Sequence, residues 1–175
     1  MVNYEKIDTF SLGHNSTYLH YDNFPEIVHL DDQAHLVMEN FDSVKVHTIK
    51  EKKSLDNAIE EFKASHINLL LVINDENHIT GLLSSSDTLG SKPMAIIEAQ
   101  QIKRENLQIS ALMIAIEEIP CIDADTVKKV RVGNILTTMR SIKTDYLLAV
   151  KSHNTEKQTI AGVFRMAEIT KHLQS

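Results

Sequence analysis

Cysteine is nearly absent from this chain, which has one thiol, Cys121, in 175 residues, together with no tryptophan, three prolines and five glycines. A single thiol excludes an intrachain disulfide framework and any cysteine-rich zinc site, and it fits a reducing compartment. So little Gly and Pro excludes a collagen-like or linker-dominated chain, and with 42% hydrophobic residues the whole of it is expected to fold. An excess of positive charge is missing as well: 18 Lys and Arg stand against 24 Asp and Glu, a formal net charge of −6, and the basic residues are spread along the sequence. A surface that tracks phosphates needs a basic stripe, so no nucleic-acid partner is expected. No apolar run approaches the roughly 20 residues of a membrane helix. Residues 1–13, which include Glu5 and Asp8, lack the apolar core of a secretory signal. No membrane partner and a cytoplasmic location are therefore expected. The length is small for a catalytic domain joined to a regulator, so any regulation would act on another chain.

Catalytic signatures are missing too. There is no Gly-x-Ser-x-Gly elbow and no Walker loop. Cys121 follows Pro120 in an apolar, strand-like stretch, residues 119–122, and reads as a buried core thiol. Met94, Met113, Met139 and Met166 read as core filler. His14, His20, His29 and His35 crowd the N-terminal region near Asp31 and Asp32, but their spacing matches no zinc pattern. No catalytic residue, no metal site and no required cofactor are expected.

What the sequence does contain is an internal repeat. In the first copy Val46-His47-Thr48-Ile49 alternates as a short strand. Ser54 offers an N-cap to a helix whose face is Leu55, Ala58, Ile59 and Phe62, ending near His66. Residues 69–73 form an apolar run suited to a strand buried on both faces, and after the turn residues 74–77 a second strand covers 78–83. Shifted by 77 residues the helical face returns as Val132, Ile135, Leu136 and Met139, and Asn57 falls on Asn134. The buried strand returns at 146–150, while Gly81 and Gly162 stand 81 apart because the second hairpin loop, 151–159, is four residues longer.

Each copy has one helix and a small sheet, too little apolar area to offset its own chain entropy, so the copies should pack together. The expected fold class is α/β (α+β): two βαββ repeats packed face to face with pseudo-two-fold symmetry. The expected division is 1–43, an N-terminal extension with a lead-in helix carrying Ala34, Val37, Met38 and Phe41; 44–106, the first repeat with a connecting helix at 94–102 opened by Pro93; and 107–175, the second repeat, entered through an apolar connector at 107–113.

The most specific local feature is Gly81-Leu82-Leu83-Ser84-Ser85-Ser86-Asp87, a hydroxyl and a carboxylate at a strand-to-helix junction. With the repeat around it, this segment resembles the nucleotide signature of cystathionine-β-synthase (CBS) domains. Over roughly residues 30–173 the chain is similar to small stand-alone bacterial CBS pairs, the Bateman modules, which share segments like Asp87-Thr88-Leu89-Gly90-Ser91-Lys92-Pro93 and a connector ending in Leu112-Met113. The resemblance implies a regulatory sensor and not an enzyme. It implies an AMP-, ADP- or ATP-like adenosine nucleotide as ligand, association into a homodimer, and an unidentified protein partner that reads the bound state.

Residue by residue, the resemblance gives Ser84 to the ligand phosphate and Asp87 to the ribose hydroxyls. The amides of Ser85 and Ser86 add an anion site at a helix start, and the adenine lies between Thr48-Ile49 and Ile67-Asn68-Leu69. The same Ser84-x-x-Asp87 spacing satisfies a capping box that needs no ligand. Gly90 and Pro93 limit the helix after Asp87 to about one turn. The second copy reads Gly162-Val163-Phe164-Arg165-Met166-Ala167-Glu168, with Arg165 in place of the hydroxyl and Glu168 in place of the Asp, a degenerate second site. One good nucleotide site per chain is expected, in the first repeat. The alternative is a ligand-free dimerisation or protein-interaction module of the same fold.

Overall fold

A computed structural model describes residues 24–151 and 158–174. Its elements in chain order are a 3₁₀ turn Ala34–Val37, β1 (Glu39–Asn40), β2 (Thr48–Lys50), α1 (Leu55–Ser65), β3 (Leu69–Ile73), β4 (Ile79–Ser84), α2 (Ser85–Leu89) and α3 (Ser91–Gln100). Beyond two further 3₁₀ turns, Arg104–Asn106 and Ile109–Ala111, come β5 (Ile114–Ala115), a 3₁₀ turn Ile116–Glu118, β6 (Cys121–Asp123), α4 (Ala124–Val127), α5 (Val132–Ser141), β7 (Tyr146–Lys151), β8 (Thr159–Arg165) and α6 (Met166–His172). Most of the hairpin loop at 151–159, and with it His14 and His20, lies outside the described residues.

Local chemistry explains why the two main helices start and stop where they do. The Ser54 amide donates to Asn57 Oδ1 at 3.2 Å and the Asn57 amide donates to Ser54 Oγ at 3.3 Å, closing the first turn of α1 reciprocally. At α5 the Arg131 amide donates to Asn134 Oδ1 at 2.8 Å, so the Asn recurring at a 77-residue interval is a capping residue in both halves. Both chains of helical hydrogen bonds end on a left-handed residue without glycine, His66 at φ 53° and Lys143 at φ 56°, again 77 apart. Pro93 sits in the first turn of α3, where its missing N–H has no helical partner to lose.

Two four-stranded mixed sheets result, ordered β2-β3-β4-β5 and β6-β7-β8-β1. In each, a parallel pair (β2 with β3, β6 with β7) is followed by an antiparallel hairpin (β3 with β4, β7 with β8). Strand alternation sorts the side chains into three cores. Leu70, Val72 and Leu83 face α1 together with Leu55, Ala58 and Phe62. Leu147, Ala149 and Phe164 face α5 together with Val132, Ile135, Leu136 and Met139. Leu71 and Leu82 of one sheet meet Leu148, Val150 and Val163 of the other, and this apolar layer between the sheets joins the halves. The protein has the mixed α/β fold of two repeats packed through their sheets.

Each half also receives a strand from the segment that leads into the other. β1 precedes the first half but pairs with β8, with Glu39 opposite Val163 and Asn40 opposite Gly162. β5 precedes the second half but pairs with β4, with Ile114 opposite Leu82 and Ala115 opposite Gly81. The residues before these strands follow suit. Val28, Ala34 and Val37 are buried in the core around α5, and Leu107, Ile109 and Leu112 in the core around α1.

Two sequence expectations are corrected. Cys121 is exposed and not a core thiol, because β6 is the edge strand of its sheet and one flank of the residue stays open. Met94 is 52% exposed, since α3 buries only Pro93 completely; Met139, by contrast, is fully buried. No helix among the described residues is long and apolar enough to cross a membrane.

Candidate functional site

Where β4 turns into α2, the hydroxyl and carboxylate singled out in the sequence are brought together and bonded to each other. Ser84 is 7% exposed. Its amide and its hydroxyl both donate to Asp87 Oδ2, at 3.2 and 2.7 Å, and the Asp87 amide donates back to Ser84 Oγ at 3.3 Å. Ser86 Oγ lies 2.8 Å from the same hydroxyl. This is a closed capping box. The remaining carboxylate oxygen, Asp87 Oδ1, lies 3.7 Å from Lys92 Nζ, which donates to the Leu112 carbonyl at 2.5 Å.

The other sequence candidates gather only in part. Asn68 joins the cluster, for the Ser85 amide donates to its carbonyl at 3.0 Å and the Ser85 hydroxyl to Asn68 Oδ1 at 3.4 Å. The Ser85 amide is thereby occupied. Leu69 pairs with Ser84 across the hairpin, but Thr48 pairs with Leu71, placing it two strands from β4, roughly 10 Å away at sheet spacing. Ile49 is buried in the core around α1. Ile67 and Leu69 border a small cavity of about 30 Å³, room for one water, with Glu39, Phe41 and His47.

The second copy of the junction is open. A cavity of about 820 Å³ lies at the end of β8, bordered by Arg165 and Glu168 and, from the lead-in segment, by Leu36, Val37, Met38, Glu39, Val44 and Lys45. Sheet register makes Arg165 the counterpart of Ser84, because Leu69 pairs with Ser84 as Tyr146 pairs with Arg165. Glu168 then corresponds to Asp87. Arg165 Nη2 lies 3.2 Å from Glu39 Oε2, a buried oxygen that makes no hydrogen bond among the described residues. Glu168 Oε1 lies 3.4 Å from His172 Nε2 and 4.0 Å from Lys171 Nζ.

Tyr146 links the two junctions. It begins β7, packs in the layer between the sheets, and feels both Asp87 and Arg165 electrostatically. Burial raises the phenol above its ordinary pKa, and a hydrogen bond with Ser84 opposes that rise. The lead-in wall of the large cavity was absent from the sequence candidates. Its signal was a further repeat at 75 residues, Gln33 with Gln108 and Met38 with Met113, in which Glu39 stands where the first half has Ile114. Among the described residues no group of three or more His, Cys, Asp or Glu is placed to hold a metal.

Comparison with known proteins matches residues 38–91 to the family model of the CBS domain. No protein of curated function matches the sequence. Several solved structures share the fold at low identity. An uncharacterised conserved protein from Pyrococcus horikoshii is 15% identical with a TM-score of 0.54, over 81% of this chain and 92% of that one. A hemolysin-like protein containing a CBS domain from Oenococcus oeni is 14% identical with a TM-score of 0.54, over 83% and 93%. A CBS domain protein of unknown function from Thermoplasma acidophilum is 14% identical with a TM-score of 0.52, over 78% and 70%. A CBS domain is thus matched across residues 38–91, which hold the first junction, and the second half repeats the same architecture in a fold shared with these solved structures.

Proposed function

We propose that this chain is a regulatory module that senses an adenosine nucleotide, seated in the cavity at the end of β8, and passes its bound state to a partner protein. The observation that carries the reading is the cavity itself. Its 820 Å³ lies within the roughly 300–1,000 Å³ of small-molecule sites, and it opens where the repeat puts a ligand-facing junction. Arg165 is suited to a phosphate, Glu168 to a ribose diol, and Leu36, Val37, Met38 and Val44 to a flat apolar base. The walls come from β8 and α6 of the second half and from the lead-in segment, which pairs with β8 through Glu39 and Asn40 and then, past residue 45, runs on into the first half. A ligand that fixes this lead-in against β8 and α6 favours one course of the segment that connects the halves, which is the differential contact that sensing requires. The ligand is held and read, not turned over, and the working unit is a homodimer.

The closed box at Ser84 and Asp87 favours a second reading, a ligand-free interaction module. Calorimetric titration with AMP, ADP, ATP, NAD and S-adenosylmethionine separates the two. The sensor reading expects at least one of these to bind. It also expects Arg165→Gln, made together with Glu39→Gln so that no buried charge is left alone, to weaken a phosphorylated ligand by about 10- to 100-fold. Adenosine should be far less affected. If none of the five binds, the module is ligand-free; if Asp87→Ala weakens binding and the Arg165 pair does not, the ligand sits at the first junction.

A further inference from the structure

The two junctions are built on one plan, yet one is open and the other is bridged. In the second half the cavity separates Glu168 on α6 from Val37 and Met38 on the lead-in segment. In the first half the corresponding partners are Asp87 on α2 and Leu112 and Met113 ahead of β5, and one side chain spans them. Lys92 Nζ lies 3.7 Å from Asp87 Oδ1 and donates to the Leu112 carbonyl at 2.5 Å. Counting the same five residues onward from Glu168 reaches Leu173, which has no charge to bridge with.

The position of Lys92 is hard to explain by helix stability. It is the second residue of α3, where a cation opposes the helix dipole. Its contacts compensate. Leu112 follows the 3₁₀ turn Ile109–Ala111, so its carbonyl is at the negative end of that turn, and the short charge-assisted bond is of the strong kind. Asp87 is thereby supplied on both oxygens, by Ser84 on one and Lys92 on the other.

We infer that Lys92 is a clasp that holds the first cleft shut, tying α2 and α3 to the lead-in of the second half, so that the two clefts are inequivalent and only the second admits a ligand. The clasp itself does not depend on any ligand; its gating role rests on the sensor reading above. Hydrogen–deuterium exchange on the full chain tests the clasp. Lys92→Met should speed exchange about tenfold in peptides covering 110–116 and 84–90, leave 33–40 unchanged, and be rescued by Lys92→Arg. Unchanged protection at 110–116 overturns the clasp. Titration with AMP tests the gate. Wild type should bind one equivalent per chain and Lys92→Met two, and a Lys92→Met variant that binds no more than wild type overturns gating. Absence of binding to wild type defeats the sensor reading, whereas the exchange result stands apart from it.

Discussion

Alanine at Gly162 or Gly81 probes the exchanged strands directly. A Cβ on Gly162 would lie 2.7 Å from the Glu39 carbonyl oxygen and 2.9 Å from both Cγ and Sδ of Met38. On Gly81 it would lie 2.5 Å from the Ile114 carbonyl oxygen and 2.7 Å from Met113 Sδ. A methionine can swing aside, but a backbone carbonyl moves only if its strand moves, so β1 or β5 must shift outward or detach. Overpacking of this kind costs about 1–3 kcal/mol. At about 2–4 °C per kcal/mol for a chain of this size, either substitution should lower the melting midpoint by about 2–12 °C. Gly90→Ala is the control: its nearest neighbour is Ser86 O at 3.5 Å and its φ of −85° suits any residue, so the midpoint should hold or rise slightly. Because Glu39 also borders the large cavity, Gly162→Ala should weaken ligand binding in addition, and Gly81→Ala should not. Circular dichroism melts on the three variants suffice. Should Gly162→Ala and Gly81→Ala melt with Gly90→Ala and wild type, the strand exchange is wrong.

Other outcomes follow from burial and hydrogen bonding. Leu112→Ala, at a fully buried position, should lose about 2–5 kcal/mol in urea unfolding, the behaviour of a core residue and not of a linker. Cys121 should react to one equivalent with a thiol reagent in the native protein, but more slowly at neutral pH than a free cysteine, since partial burial pushes its thiol up. Glu61 is held below its ordinary carboxylate value by a hydrogen bond from Ser65, then by one from His47. That stabilisation is present above the ordinary value and is lost as pH falls through the lowered one. Between about pH 5 and pH 3, the wild-type melting midpoint should therefore fall more steeply than that of Glu61→Gln.

The repeated hairpin and its helix were legible because both carry strong periodic signals. Residues 69–73 were bounded correctly from an apolar run alone, and Ser54 with Asn57 gave the start of α1. The exchanged strands were not legible, because β1 and β5 have two residues each, too few for any period to show. Met38 and Met113 in a second register were the trace they left. At the candidate site, Ser84, Ser85, Ser86 and Asp87 were legible in local spacing, whereas Asn68, 17 residues from Ser85, came only from the family resemblance. The open cavity could not, because half its wall comes from residues some 120 positions before Arg165 in the chain. Lys92 was visible only as part of a motif, and its partner Leu112 is 20 residues further on.

The exchange of strands also sets a timetable for biosynthesis. The first sheet can close once Ala115 has emerged to meet Gly81, a wait of a few seconds at about 5–20 residues per second. Glu39, by contrast, must stay unpaired until Val163 is made, roughly 6 to 25 seconds later at the same rates. A nascent chain arrested between those points would hold a finished first half and an orphaned N-terminal strand, and a ribosome-bound series of lengths would show the large cavity forming last of all.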